Sequence, residues 1–237
     1  DITLMKQVGI NVAVVHGGGP QIDKELEKSN IKRNFIDGIR VTDKETIEIV
    51  SNTLDGIINK EIVDLINKNG GNSIGVAKDK KGTISVEKLT TENIDYGYVG
   101  EVVNVNSNYL YELMNSNYIP VIAPLGYDSS GQIYNINADT AASQIASHLS
   151  AEKLIFLTDT QGVNDDKGNL ISTLNSKEIK NFIESDIIKG GMLPKINASL
   201  EAVSKSVKTA HIIDGRIQHS VLLEIFTNDG IGTLVKK

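Results

Sequence analysis

The arrangement that most restricts the fold is a short apolar segment, a glycine-rich turn and a helix-forming segment in direct succession. Residues 12–15 are apolar, residues 17–19 are all glycine, and Pro20 suits the first turn of a helix to about residue 28. Strand and helix signals alternate along the rest of the chain, as they do where parallel strands are joined by helices. The sequence therefore predicts an α/β fold: a three-layer sandwich, with a mainly parallel open sheet and helices on both faces.

Composition narrows the possible functions. The 237 residues are enough for one large α/β domain or for two small lobes that share a cleft. No apolar run approaches the roughly 18 residues of a membrane span, and a formal net charge of −6 does not favour nucleic acid. We expect neither a membrane nor a nucleic-acid partner. Cysteine is absent and the four histidines lack metal-ligand spacing, so we expect no metal ligands and a cytoplasmic location.

The remaining secondary structure follows from periodicity and turn residues. A helix is expected to begin at Thr42, because Thr42 and Glu45 have capping-box spacing, and to end before Gly70. Residues 74–77 and 83–86 are expected to form a hairpin that turns at Lys80, Lys81 and Gly82. The other expected strands are 98–105, 119–123, 133–136, 153–158, 211–213 and 233–235, and the other expected helices are 109–115, 138–149, 176–185, 193–207 and 220–226. A lobe boundary is placed near Leu149, which gives lobes of residues 1–149 and 150–237.

Two glycine-rich turns are candidate anion sites. Backbone N–H groups at Gly17 and Gly18 would lie near the positive end of the following helix, where anionic oxygens bind. The spacing is neither the dinucleotide fingerprint nor the P-loop, but one glycine would have sufficed for a tight turn. Gly190 and Gly191 precede a second helix, whose first turn contains Lys195. A cation there opposes the helix dipole, which favours a phosphate contact over an ordinary surface lysine.

Polar side chains near predicted strand ends are further candidates. Arg40 can bind a carboxylate with two hydrogen bonds, although a surface arginine explains it equally well. Asn135, Asn137 and Asp139 lie at a strand-to-helix junction, where open α/β sheets bind ligands. Helix capping explains Asn137 well, Asp139 in part and Asn135 not at all. The turn at residues 158–163 is a weaker candidate for the edge of a nucleotide site.

Taken in order, these motifs resemble those of the N-acetylglutamate kinases, within the amino-acid kinase family. The matching motifs are HGGG followed by Pro-Gln-Ile, GIRVT, NINAD and GGMLPK, and the similarity runs over essentially all 237 residues. The resemblance implies an enzyme that uses ATP with Mg²⁺ to phosphorylate the γ-carboxylate of N-acetyl-L-glutamate in arginine biosynthesis, giving N-acetylglutamyl 5-phosphate. Residues 1–149 would bind the amino acid and residues 150–237 would bind ATP.

The resemblance also implies roles for individual residues. Gly17 and Gly18 would hold the acceptor and the phosphoryl group in transfer, and Arg40 and Asn135 would bind the α-carboxylate of acetylglutamate. Lys195 would stabilise the phosphates, while Asp139 would organise the lysines of the active site. The residues expected around the nucleotide are Thr158, Asp159, Gly190, Gly191 and Lys195.

The chain departs from the family pattern at its start. The family carries a Lys-x-Gly-Gly motif on its first strand, and no such motif precedes His16. We expect that segment to lie upstream of Asp1. If the natural chain lacked it, a non-catalytic arginine sensor would be the alternative function. A different amino-acid kinase, acting on aminoadipate, glutamate or aspartate, is the other alternative.

The C-terminal segment resembles the arginine-inhibited branch of the family. His211, Glu224 and Gly230 match the positions that this branch uses around arginine, which would make arginine an inhibitor. Without the resemblance, Leu222, Leu223 and Phe226 would be expected in the core and Glu224 in solvent. The resemblance further implies a homodimer, or a hexamer if an N-terminal helix joins the dimers.

Overall fold

The computed structural model describes residues 1–77, 82–91, 94–227 and 230–237. The chain forms two compact units, one of residues 2–141 and one of residues 142–237 together with Asp1. The division falls inside the helix that precedes the lobe boundary expected near Leu149. None of the helices in the described residues is both long and apolar enough to cross a membrane.

The first unit contains most of the helices and strands that the sequence predicts. In chain order they are α1 (Ile2–Gln7), β1 (Val14–Val15), α2 (Gly19–Lys28), β2 (Phe35–Ile36), β3 (Ile39–Arg40), α3 (Lys44–Ser51), a π-helical segment (Asn52–Asn59), α4 (Lys60–Lys68), β4 (Ser73–Val76), β5 (Ile84–Thr90), β6 (Asp95–Val105), α5 (Ser107–Asn115), β7 (Ile119–Ile122), β8 (Leu125–Tyr127), β9 (Ile133–Asn135) and the first turn of α6 (Ala138–His148). The pair β2–β3, strand β8 and the π-helical segment were not predicted.

A parallel sheet lies at the centre of the first unit. Its strand order is β1-β7-β4, and Val14 and Gly75 both pair with Val121 of β7. Every residue of β7 is buried, as in the inner strand of a sheet that helices cover. α4 packs on β4 and α5 packs on β7. The predicted α/β class, with parallel strands and covering helices, is confirmed.

The hairpin expected at residues 74–86 is wrong. β4 pairs in parallel with β7, whereas β5 pairs antiparallel with β6 in a small closed barrel of order β5-β6-β9-β8. The two segments therefore belong to different sheets. Periodicity identifies a strand but carries no information about its partner. The expected turn residues Lys80 and Lys81 lie outside the described residues.

The capping box at Thr42 is also wrong. The N-cap of α3 is Asp43, whose side chain accepts a hydrogen bond from the Thr46 N–H at 2.8 Å. That bond holds the pKa of Asp43 below its usual value. Thr42 is instead bound to β6, because its N–H donates to the Tyr96 carbonyl at 2.9 Å. Thr42 and Gly97 of β6 form an isolated β-bridge. Gly97 has a φ of +71°, and a Cβ there would lie 2.1 Å from the Thr42 carbonyl oxygen.

The second unit has its own sheet and core. Its elements are the remainder of α6, β10 (Lys153–Thr158), β11 (Thr173–Leu174), α7 (Ser176–Glu184), α8 (Met192–Lys205), β12 (Thr209–Asp214), α9 (Ser220–Phe226) and β13 (Thr233–Val235). The strand order is β10-β12-β13-β11, with β10 parallel to β12 and β12 antiparallel to β13. Ile179, Ile196 and Ile212 are fully buried in the core. Strand β11 was not predicted.

Candidate active site

The glycine turn after β1 packs against the π-helical segment. Gly18 is the N-cap of α2 and provides no side-chain cap. A Cβ at Gly18 would lie 2.5 Å from Ile58 Cδ1 and 2.8 Å from Leu54 Cδ2, two buried side chains. Glycine is therefore required for this close approach, and not only for the turn. The uncapped first turn of α2 leaves backbone N–H groups for an anion.

A second strand-to-helix junction lies beside this turn. A Cβ at Gly17 would be 3.7 Å from the Cβ of Ala138, at the start of α6. Asn137 caps α6, as predicted, by accepting hydrogen bonds from the Asp139 and Thr140 N–H groups at 3.0 and 3.1 Å. The structure thus brings Gly17 close to the NINAD junction that contains Asp139.

Arg40 is buried, which argues against the alternative of an ordinary surface arginine. Only 7% of the residue is exposed, and its Nη2 lies 2.5 Å from Asp23 Oδ1 on α2. The guanidinium lies over the Phe35 ring, 4.5 Å from the ring centre. Within the described residues, its buried Nη1 has no hydrogen-bond partner. A buried donor without a partner costs about 1–3 kcal/mol, which a bound carboxylate would recover.

Strand β6 connects the segment of Arg40 with Asn135. Thr42 forms a bridge with Gly97, and Asn135 pairs with Val99, two residues further along β6. Asn135 is half-buried at the end of β9. Two of the predicted acceptor residues are therefore attached to the same strand. Asp23, the partner of Arg40, was missed by the sequence analysis because nothing local connects residues 23 and 40.

The second unit contains the other glycine turn. Gly190 has a φ of +57°, in the left-handed region, and Gly191 is the N-cap of α8 without a side-chain cap. Lys195 is half-buried in the first helical turn. The predicted arrangement of an uncapped helix start with a nearby cation is thus present in the second unit.

The carboxyl ends of β10 and β12 form a polar edge. Thr158 and Asp214 are paired residues at these ends, and Asp159 follows Thr158 directly. The Arg216 guanidinium donates two hydrogen bonds to Asp214, at 2.9 and 2.7 Å, and these bonds lower the pKa of Asp214. The sequence analysis missed this pair, although Asp-Gly-Arg directly after an apolar strand was a usable signal.

His211, Glu224 and Gly230 come together in the second unit. His211 Nδ1 is 2.6 Å from Glu224 Oε1, and Glu224 Oε2 accepts a hydrogen bond from the Ile231 N–H at 2.8 Å. Gly230 has a φ of +59°, and a Cβ there would lie 3.3 Å from Glu224 Oε2. Burial lowers the pKa of His211 more than the bond to Glu224 raises it.

The alternative expectation, with Leu222, Leu223 and Phe226 in the core and Glu224 in solvent, is wrong for three of these four residues. The Glu224 side chain is only 8% exposed, so it is not a solvated helix residue. Leu223 and Phe226, expected in the core, are 38% and 57% exposed. The Glu224 carboxylate lies against His211, whereas Leu223 and Phe226 are exposed, which for these three residues is the opposite of what hydrophobicity suggests.

Comparisons with known proteins identify relatives of this chain. The family model of the amino acid kinase family matches residues 1–214. An acetylglutamate kinase from Thermoanaerobacter sp. (strain X514) is 52% identical over 240 residues, which cover 100% of this chain and 80% of the relative. An acetylglutamate kinase from Campylobacter curvus (strain 525.92) is 51% identical over 236 residues, covering 100% and 83%. The solved structure of smu.665 from Streptococcus mutans UA159 superposes with a TM-score of 0.87 at 30% identity, covering 99% of this chain and 89% of that one.

Proposed function

Because the chain belongs to the amino acid kinase family, we propose that it transfers the γ-phosphoryl group of ATP to the γ-carboxylate of N-acetyl-L-glutamate. The product would be N-acetylglutamyl 5-phosphate, an intermediate of arginine biosynthesis. Relatives about 50% identical over the whole chain are acetylglutamate kinases. In the structure, the observation that carries the proposal is the buried Arg40, whose Nη1 has no partner in the described residues.

The acceptor would bind in the first unit. Arg40 would donate to the α-carboxylate through Nη1, the nitrogen without a partner in the described residues, and Asn135 would add an amide hydrogen bond. The γ-carboxylate would then lie at the glycine turn, against Gly17 and Gly18. Gly17 approaches Ala138 at the start of α6, next to Asp139 in the chain, and Asp139 would orient the lysines of the active site.

The nucleotide would bind in the second unit as MgATP. Gly190 and Gly191 would hold the phosphates at the start of α8, and Lys195 would neutralise part of their charge. Thr158 and Asp159 would contact the nucleotide at the edge formed by β10 and β12. In the described part of the chain no cluster of three or more acidic, histidine or cysteine side chains could hold a metal.

The reaction needs no general base. The γ-carboxyl group of a glutamate side chain ordinarily has a pKa of about 4.3, so it is already a nucleophilic anion at neutral pH. The remaining problem is to bring this anion against a polyanion, which positioning and positive charge solve. Each preorganised donor to the transferring group is typically worth about 3 kcal/mol of the barrier.

Arginine would act as an inhibitor at His211, Glu224 and Gly230. These residues form one cluster, and each Glu224 oxygen can accept a second hydrogen bond from a guanidinium. Binding there inhibits only if the inhibited state has the higher affinity for arginine.

The protein would assemble as a homodimer or as a larger oligomer built from homodimers. Ile57 and Leu65 are 49% and 52% exposed on one helical face, beside Lys60 and Asp64. Opposite charges along one face suit an antiparallel second copy, because each lysine then meets an aspartate. Sedimentation analysis of the protein and of a Leu65→Glu variant tests this contact, and an unchanged oligomer in the variant would contradict it.

The full natural protein is to be assayed with ATP, Mg²⁺ and N-acetylglutamate, trapping the acyl phosphate with hydroxylamine. We expect a hydroxamate with N-acetylglutamate and far less with glutamate, aspartate or aminoadipate. Equal activity with an unacetylated amino acid would favour the other amino-acid kinases. Binding of arginine without any turnover would favour the sensor.

A further inference from the structure

A chain of hydrogen bonds links the π-helical segment to the glycine turn. Asn59 is buried at the end of that segment, and its Nδ2 lies 3.1 Å from His16 Nε2 and 2.9 Å from the Val121 carbonyl oxygen. His16 is buried as well, and its Nδ1 lies 3.0 Å from the Gly17 carbonyl oxygen. None of these contacts was anticipated from the sequence.

The contacts select one state of the His16 ring. An amide nitrogen has protons to donate and no acceptor, so His16 Nε2 must accept from Asn59. The neutral ring then carries its proton on Nδ1 and donates it to the Gly17 carbonyl. Burial lowers the pKa of His16, outweighing the Gly17 bond and the charge of Asp55, so the ring is neutral at neutral pH.

The Gly17 carbonyl determines where the next N–H points. None of the peptide bonds is cis in the part of the chain the structure describes, and a trans peptide directs its C=O and N–H to opposite sides. A Gly17 carbonyl held towards His16 therefore directs the Gly18 N–H away from that ring. Glycines tolerate many backbone conformations, so this hydrogen bond restricts the orientation of the peptide between Gly17 and Gly18.

The π-helical segment holds Asn59 in place. A Cβ at Gly75 would be 2.3 Å from Asn59 Oδ1, so the amide fits closely against the backbone of β4. Its bond to Val121 attaches it to β7 as well. The same helical segment contacts Gly18 through Leu54 and Ile58. The π-helical segment thus both packs against Gly18 and fixes the tautomer of His16.

We propose that His16 and Asn59 are positioning residues for phosphoryl transfer, because they aim the Gly18 N–H at the transferring group. This inference rests on the proposed kinase function. Both side chains are buried and bonded to protein groups, so in this proposal they act through the backbone and not on the substrate. They set the direction of the Gly18 N–H. A hydrogen bond from this donor matters most when charge develops on the phosphoryl oxygens.

Two substitutions of His16 distinguish the roles of its two ring nitrogens. His16→Gln places its amide near the position of Nε2, and keeps a partner for Asn59 but loses the donor to Gly17. His16→Asn places its amide near Nδ1 and can still donate to Gly17. We expect His16→Gln to lower kcat about 10- to 100-fold, with both KM values within about threefold. We expect His16→Asn to recover most of that loss.

Asn59→Leu tests the other end of the hydrogen-bond chain that runs from Asn59 through His16 to Gly17, and Asn67→Leu is the matched control. Asn67 likewise connects α4 to β4, through Ser73, and among the described residues its hydrogen bonds do not reach the glycine turn. Both variants should lower the free energy of unfolding, measured with urea, and only Asn59→Leu should lower kcat. If Asn59→Leu fails to fold, the two His16 variants carry the kinetic test.

Nitrogen chemical shifts from NMR give a readout that needs no turnover. We expect the Nδ1–H tautomer of His16 in the unmodified protein. An Nε2–H tautomer would overturn the inference, as would equal kcat values for His16→Gln and His16→Asn. An unmodified protein with the expected tautomer but no acetylglutamate kinase activity would overturn the proposed function, and with it the kinetic role assigned here.

Discussion

Replacement of Arg40 by lysine tests how the acceptor is recognised. Lysine keeps the positive charge and can still pair with Asp23, but it loses the planar fork and its second nitrogen. In the structure, Arg40 uses Nη2 for Asp23, while Nη1 has no partner in the described residues. The donor that remains for a substrate carboxylate is therefore the one that lysine lacks.

The size of the effect follows from that single contact. A hydrogen bond to a charged group is worth about 1.5–3 kcal/mol. This corresponds to an increase of about 10- to 150-fold in the KM for acetylglutamate. The KM for ATP should change less than about threefold. The free energy of unfolding should fall by only about 0.5–1 kcal/mol, from the lost contact with the Phe35 ring.

Arg33 provides the matched control. It pairs with the same Asp23 at 3.2 Å, but its side chain is 70% exposed. Arg33→Lys should leave both KM values unchanged, because an exposed pair contributes little. Initial-rate kinetics with each substrate varied in turn distinguish the cases. An equal rise in both KM values for Arg40→Lys, or the same effect from Arg33→Lys, would refute a carboxylate-binding role.

Three further predictions follow from the second unit and the buried histidines. Lys195→Ala should lower kcat about 100-fold or more, while calorimetry still detects acetylglutamate binding, because the charge acts on the phosphoryl group in transfer. Glu224→Gln should shift inhibition by arginine to about 10- to 150-fold higher concentration with little change in basal kcat, and an unaltered response would leave Glu224 a partner of His211 only. Burial lowers the pKa of both His16 and His211, so the unfolded state binds more protons below about pH 6.5 and the free energy of unfolding should fall from about pH 8 to about pH 5.5. Urea denaturation across this range measures it, and a flat profile would contradict the assigned burial.

The sequence predicted most elements of the fold because their signals are local. Pro20 marks the first turn of α2, and Asn137 caps α6 through two backbone hydrogen bonds. The pairing of strands depends on residues far apart, such as Gly75 and Val121, and no local pattern encodes it. The apolar spacing around Leu54 is likewise compatible with α-helix, so the π-helical segment could not be recognised.

The candidate site was predictable to a similar extent. Its glycines are recognisable in the sequence, since residues 17–19 and 190–191 precede helices. The sequence does not indicate which polar side chains contact one another: Asp23 with Arg40, Asn59 with His16, and Glu224 with His211. Each of these contacts joins residues at least 13 positions apart. Burial of a polar group depends on the complete fold, so a single sequence can suggest such a partner only by resemblance.

The two candidate phosphate sites differ from several other helix starts in having no side-chain cap. Asp43, Asn106 and Asn175 cap α3, α5 and α7, and their side chains accept hydrogen bonds from the first-turn N–H groups. Gly18 and Gly191 precede α2 and α8 without any side-chain cap. A capping side chain stabilises a helix by about 1 kcal/mol, but it occupies the donors that an anion would use. Omitting the cap at α2 and α8 therefore costs stability in the free protein, and phosphate oxygens bound there, as we propose, would recover this cost.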